Sequence, residues 1–322
     1  MFKNLSPNGL GISGRQSELI ELALTYGFRG LDIDMEHFVK QAQRRSMEHA
    51  RRFIDSAMAF AGGCQIGSWK LTTRWQGDEA AYKADLVRLA EIAEIAGKIG
   101  ATRATVFIEP ASDSLAYHEN FELHRIRLTQ MGDVLKPHGV HLGLDFSPIA
   151  SRREGKAHEF IHDFEGLLTL IKTINHPQIG LLLDTFNWFV GGGKMEQLRE
   201  LKVDQIVAVR IADVPAATDK SQITEKQRVL PKPDGLVDTD AIGKLLIELD
   251  YEGPVTPYPH PRNFLGKTRE VIVQQASEAM ENLWVACGLS QGKPERGVLV
   301  AASVNGQVEE ELEIDVEVEE EV

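Results

Sequence analysis

Eight times along this chain a short apolar run is followed by a longer stretch whose apolar residues recur at helical spacing, and that beat restricts the fold more than any single residue does. Runs of four to eight apolar residues are strand-length, and those without an alternating polar face read as strands buried on both sides of a parallel sheet. The spacing predicts strands near residues 10–12, 30–36, 65–71, 104–109, 140–145, 179–184, 206–213 and 253–260. Helices are expected near 16–26, 39–60, 79–99, 119–135, 159–174, 195–201, 239–249 and 268–287. Eight such units close into one parallel (β/α)8 barrel, an α/β fold, more readily than they form an open sheet. A length of 322 residues accommodates that barrel over residues 1–288 with an extension over 289–322.

Several of the expected strands finish on an acid. Ile-Gly-Leu-Leu-Leu-Asp at 179–184 is apolar until Asp184, the 140–145 strand ends on Asp145, and the 104–109 strand ends on Glu109. A carboxylate closing a buried strand is costly unless it is paired or used, so these positions mark ion pairs or a working site. At 30–36 the pattern alternates, with Leu31, Ile33 and Met35 on one face and Asp32, Asp34 and Glu36 on the other. Residues 215–234 form a long polar segment with Pro215, Pro231 and Pro233, which reads as a lid or a packed surface excursion.

The negative charge of the chain is unevenly distributed. Nine acids and no base fall within residues 309–322, so most of the net charge of −13 belongs to the tail, and the mildly acidic remainder argues against a nucleic-acid partner. Residues 298–304 and 307–318 around Asn305-Gly306 fit either a disordered acidic tail or a hairpin. Residues 1–7 lack the apolar core of a signal peptide and no stretch is long enough to span a bilayer, which predicts a cytoplasmic protein with no membrane partner. Cys64 and Cys287, far apart, suggest neither a disulfide framework nor a structural zinc site.

Leu183-Asp184-Thr185, Arg-Ile-Ala-Asp at 210–213, the stretch from Leu230 to Asp238 and Tyr-Glu-Gly-Pro-Val-Thr-Pro at 251–257 together resemble the xylose isomerase-like TIM barrels, whose members include sugar isomerases and epimerases, inosose dehydratases and endonuclease IV. The resemblance covers about residues 5–287. It implies a divalent metal (Mn, Mg, Co or Zn) at the carboxyl ends of the strands. In the sugar-active relatives the ligands are a Glu ending strand five, an Asp ending strand six with a His three residues on, a His in strand seven and a Glu ending strand eight. The matching positions here are Asp145, Asp184 with Asn187, Arg210 and Tyr258.

Only Asp184 is unchanged, and the departures bear on the metal. A guanidinium has no lone pair to donate and repels a dication, and a phenol is a weak ligand near neutral pH. Arg210 in the metal's place, paired in a fork with Asp184 or Asp145, is the favoured reading; a metal held by other residues, with Arg210 aimed elsewhere, is the alternative. Asp145, Arg210 and Tyr258 are the candidate catalytic residues, with Asp184 and Asp145 at the family's ligand positions.

Lys70, Glu109, Asn187, Trp188, Asp213 and His260 are candidate substrate contacts, with Asp34, Glu36 and Trp69 at the same rim. Gly191-Gly192-Gly193-Lys194 is either a turn or a phosphate cradle. His141 falls at the opposite, amino end of its strand. The resemblance and these residues imply a small-molecule carbohydrate ligand, phosphorylated or not, and allow a homo-oligomer. Three functions stay open: a sugar isomerase or epimerase moving a proton next to a carbonyl, an inactive carbohydrate-binding pseudoenzyme, and an endonuclease IV-like repair enzyme.

Overall fold

The computed structural model describes residues 1–46, 48, 51–52, 64–72, 74–219 and 222–291. Its barrel strands are β1 (Phe2–Leu5), β2 (Gly30–Leu31), β3 in two pieces (Gln65–Ile66 and Trp69–Lys70), β4 (Arg103–Phe107), β5 (His141–Asp145), β6 (Ile179–Asp184), β7 (Ile206–Ile211) and β8 (Pro254–Pro257). The first piece of β3 pairs with β2 and the second with β4. Between them the ladder runs through β1, β8, β7, β6 and β5, every pairing parallel, so the order begins and ends on one strand and the sheet is closed. This is the (β/α)8 barrel that the alternation predicts.

The outer layer comprises α1 (Gln16–Thr25), α2 (Met35–Arg44), α3 (Glu79–Ile99), α4 (Tyr117–Leu135), α5 (Phe164–Ile174), α6 (Met195–Arg199), α7 (Thr239–Glu248) and α8 (Arg269–Ala286). Local chemistry fixes their ends. Asp78 caps α3 by accepting from the Ala81 amide at 2.7 Å, and Gly100 ends it at φ 79°, a conformation glycine adopts without steric cost. Asp163 and Asp238 cap α5 and α7 in the same way. All six residues of β6 are buried, as its unbroken apolar run requires.

Three departures from the periodicity stand out. The first strand is Phe2–Leu5 and not 10–12; Lys3 and Asn4 dilute its apolar signal, while Ser6 and Pro7 start a single helical turn over Pro7–Leu10. Alternation at 30–36 correctly marks Leu31, Ile33 and Met35 as buried, yet only Gly30–Leu31 joins the ladder, because the Asp34 carboxylate accepts from the Glu36 and His37 amides and starts α2 there. Its expected continuation to residue 60 lies largely outside the described residues. The helix expected at 159–174 starts at Phe164, since His158–Glu159 pairs antiparallel with Ala111–Ser112. The proposed tail or hairpin over 298–318 also lies outside the described residues. No helix among the described residues is long and apolar enough to cross a membrane.

Candidate functional site

Parallel closure sends every strand's carboxyl end to one rim, where the loops build a site. Asp145 ends β5, Asp184 ends β6, Arg210 sits one residue before the end of β7, and Tyr258 follows β8. Arg210 is in register with Asp184 on one side and Thr256 on the other. Asp145, Asp184, Asn187, Arg210 and Tyr258 all line one cavity of about 710 Å³.

At its floor lies a continuous polar network. Arg210 Nη1 donates to Asp145 Oδ2 at 3.2 Å, and Asn187 Nδ2 donates to Asp145 Oδ1 at 2.9 Å. The Asn187 amide donates to Asp184 Oδ1 at 3.0 Å, because Asp184 caps the short helix Thr185–Val190 that follows β6. The other Asp184 oxygen is taken by a residue the sequence reading did not select. Arg228, carried in by the 215–234 segment, donates from Nη1 to Asp184 Oδ2 at 2.5 Å and from Nη2 to Asn187 Oδ1 at 2.8 Å. Arg228 is only 5% exposed, with its guanidinium 4.5 Å from the Phe186 ring centroid.

The expected fork is therefore corrected. Among the described residues Arg210 makes one side-chain hydrogen bond, to Asp145, so of the two expected partners it is Asp145 that pairs with it, singly and not as a fork, while Asp184 belongs to Arg228. The stretch around Arg228 is anchored, although most of the described residues of the 215–234 segment are exposed or half-buried. Asp213, fully buried, accepts from the Val214, Lys232 and Val237 amides, its backbone pairs with Val229, and the Arg228 carbonyl accepts from the His260 amide and from Asn263 Nδ2. Asp213 is thus the staple of this segment and not a substrate contact.

The two guanidiniums differ in what remains free. Arg228 is consumed by Asp184, Asn187 and, at 3.6 Å, Glu225. Among the described residues only Nη1 of Arg210 has an acceptor, and its face lies 4.0 Å from the Tyr258 ring centroid. Tyr258 is held from behind by Gly9, where a Cβ would lie 2.5 Å from the ring carbons, so only glycine permits that approach. Burial works against the charge of Arg210, but Tyr258, Asp145 and Asp184 outweigh it and raise its pKa. Burial, reinforced by the charge of Asp184 and opposed by Arg210, pushes the Asp145 carboxyl up to about 6.

This donor set does not suit a divalent metal. All four oxygens of Asp145 and Asp184 already accept hydrogen bonds, two of them from guanidiniums. Among the described residues no group of three or more His, Cys, Asp or Glu is arranged to hold a metal. Hard dications need several free oxygen ligands, and two neighbouring cations oppose their entry.

The remaining candidates divide. Lys70, Glu109 and His260 line the cavity, Lys70 and Glu109 exposed and His260 at the rim. Trp188 is buried with its indole against Gly193, so it is core and not a sugar platform; Trp69 is buried too, its Nε1 donating to the Ala101 carbonyl at 2.9 Å. Glu36 pairs with Arg88 and lines neither cavity at this rim, whereas Asp34 faces a second one. The amides of Gly191, Gly192 and Gly193 donate to the carbonyls of Asn187, Phe189 and Trp188, so these glycines form a turn ahead of the five-residue α6. His141 opens β5, at the end away from the site.

The family model described as "Xylose isomerase-like TIM barrel" matches residues 20–283. Inosose isomerase of Bacillus subtilis (strain 168) is 27% identical over 154 residues, 47% of this chain and 51% of that protein. The chain thus spans about half the length of the curated relatives it matches. A xylose isomerase domain protein from Alicyclobacillus acidocaldarius subsp. acidocaldarius superimposes with a TM-score of 0.76 at 22% identity, over 89% of this chain and 99% of that one. The IOLI protein, whose structure holds a zinc atom, superimposes with a TM-score of 0.70 at 19% identity, over 88% of this chain and 98% of that one. At these identities the structural likeness bears on the fold.

Proposed function

This chain belongs to the xylose isomerase-like TIM barrel family, and from that premise we propose that it is a sugar isomerase or epimerase that moves a proton next to a carbonyl, with Arg210 in the place of the family's metal. Its substrate is a polyhydroxylated aldehyde or ketone, free or phosphorylated, or a cyclic inosose such as the name of the Bacillus subtilis relative indicates. The observation that carries this reading is a cation with free N–H donors beside a carboxylate whose pKa is raised to about 6, both lining one cavity.

In this reading Asp145 removes the proton from the carbon next to the carbonyl, since a base with a pKa of about 6 is ionised at pH 7 yet still basic enough to accept it. Charge then develops on the carbonyl oxygen. Arg210 donates to that oxygen with groups already in place, the role a preorganised donor fills in a water-poor site. Tyr258, stacked on Arg210, supplies or receives the second proton. Arg228 touches no reacting atom and acts as a positioning residue that neutralises Asp184 and orients Asn187.

The test is a panel of ketoses, aldoses and inososes incubated with the protein in deuterated water and followed by NMR. Exchange of the proton next to the carbonyl, with or without net conversion, supports an enzyme. Binding of these ligands without any exchange contradicts the reading and leaves the inactive carbohydrate-binding protein in its place.

A further inference from the structure

A second cavity, of about 630 Å³, opens beside the first. The two share Asn8, Lys70, Thr105, Arg210 and Tyr258, so they are lobes of one cleft with the stacked Arg210–Tyr258 pair at the divide. The residues that line the second lobe alone take no part in the chemistry above. Each lobe alone falls within the range of roughly 300–1,000 Å³ in which proteins hold a small organic ligand, and a single sugar ring reacting at Arg210 leaves the second lobe empty.

The walls of this lobe suit hydroxyl groups. Asp32 spends Oδ1 on Asn4 Nδ2, the Ser68 amide and Ser68 Oγ, and Asp34 spends Oδ1 on the amides that begin α2. Among the described residues the Oδ2 atoms of both have no hydrogen-bond partner, so each carboxylate keeps acceptor capacity in a cavity that both line. His37 and Gln41, one helical turn apart on α2, add a polar edge and bond to each other at 3.3 Å. Gln16, also in the lining, has its Nε2 buried with no acceptor among the described residues. Carboxylates with spare lone pairs beside amide donors match the mixed donors and acceptors of a polyol, and Arg15, Lys70 and Arg210 on the same lining add further donors.

We propose that the second lobe is a binding subsite for a second hydroxyl-rich unit, and that the substrate of this protein is a two-unit carbohydrate such as a disaccharide or glycoside. Its reacting carbon lies at Arg210, one unit enters each lobe, and Lys70 bridges the junction. The inference rests on the proposed proton transfer at Arg210 for its orientation, and on the cleft for its size.

The experiment measures binding by titration calorimetry and saturation-transfer NMR with maltose, cellobiose, trehalose and sucrose, and with glucose, fructose and inososes as one-unit probes, on wild type and on a His37→Ala/Gln41→Ala variant. Neither side chain is fixed in the barrel wall, and the circular dichroism melt checks that the variant folds. At least one two-unit ligand binds tenfold or more tightly than its component sugars, and the variant loses that advantage while binding the one-unit probes as wild type does. One-unit and two-unit ligands binding alike in both proteins overturns the second subsite while leaving the proton-transfer reading intact. Absence of both binding and exchange for every ligand overturns the two together.

Discussion

Arg228→Ala is the perturbation whose consequence the structure fixes most fully. It removes a guanidinium that lies 2.5 Å from Asp184, a carboxylate 3% exposed, and it takes the donor from Asn187 Oδ1. The Arg228 backbone stays anchored, since its carbonyl still accepts from His260 and Asn263, so the loss is that of the side chain. Breaking a buried pair by deleting one partner strands the other charge and costs about 3–5 kcal/mol. At roughly 2–4 °C per kcal/mol for a large domain, the melting temperature falls by about 6–20 °C. Scanning calorimetry of the refoldable protein, backed by a urea titration, provides the assay. An Arg228→Met/Asp184→Leu double variant recovers most of this deficit, keeping a loss of about 1 kcal/mol because Asp184 also caps the helix through the Asn187 amide. A single variant within 1 kcal/mol of wild type refutes the idea that Arg228 neutralises Asp184.

Protein purified without chelator and dialysed contains far less than one equivalent of Mn, Mg, Co or Zn by elemental analysis, and added Mn or Zn leaves its melting temperature unchanged; stoichiometric metal removed in parallel with activity contradicts this. Because burial and Asp184 raise the Asp145 pKa to about 6, the base is protonated below that value, and kcat/KM climbs as the pH rises through about 6 and falls about tenfold per unit below about 5. A flat profile from pH 4 to 8 argues against Asp145 as the base. Gly9→Ala places a methyl 2.5 Å from the Tyr258 ring, pushes it off Arg210 and lowers proton exchange at least tenfold with the fold intact; unchanged exchange shows that the stack is dispensable.

The barrel was legible because its signal is repeated and local: an unbroken apolar run such as Ile179–Leu183 has one economical use, and α3 is bounded by Asp78 and Gly100 at the residues where capping chemistry places it. What failed was short or shared. Phe2–Leu5 carries two polar residues in four, and Asp34 sits in an alternating pattern while serving as a helix cap. Aromatic content alone does not separate a sugar platform from core: both Trp188 and Trp69 are buried, and of the two Trp69 still borders the second cavity. Asp213 looked like a further acid at a strand end, and only the chain path shows three amides converging on it.

Arg228 was invisible for a different reason. Its partner Asp184 lies 44 residues away, and the segment that bears it reads as polar loop. A charge tally held the signal: two carboxylates at the floor of a barrel with a single arginine leave one uncompensated, and Arg228 is followed by the apolar pair Val229-Leu230 between a polar stretch and Pro231. The family positions led to Arg210 and Asn187; they do not reach Arg228, which enters from a loop.

The account stands on Arg210 as the cation that stabilises developing charge on the substrate oxygen. The direct measurement is solvent deuterium uptake at the carbon next to the carbonyl, in the substrate that the NMR panel identifies, with exhaustively chelated wild type and with Arg210→Met. Wild type exchanges at an undiminished rate in the presence of chelator, and Arg210→Met, folded and still binding the ligand, loses about 10²–10³-fold, the scale expected when one preorganised donor to an oxyanion is removed. Exchange that chelator abolishes and Mn or Zn restores, or that survives in Arg210→Met, contradicts the account.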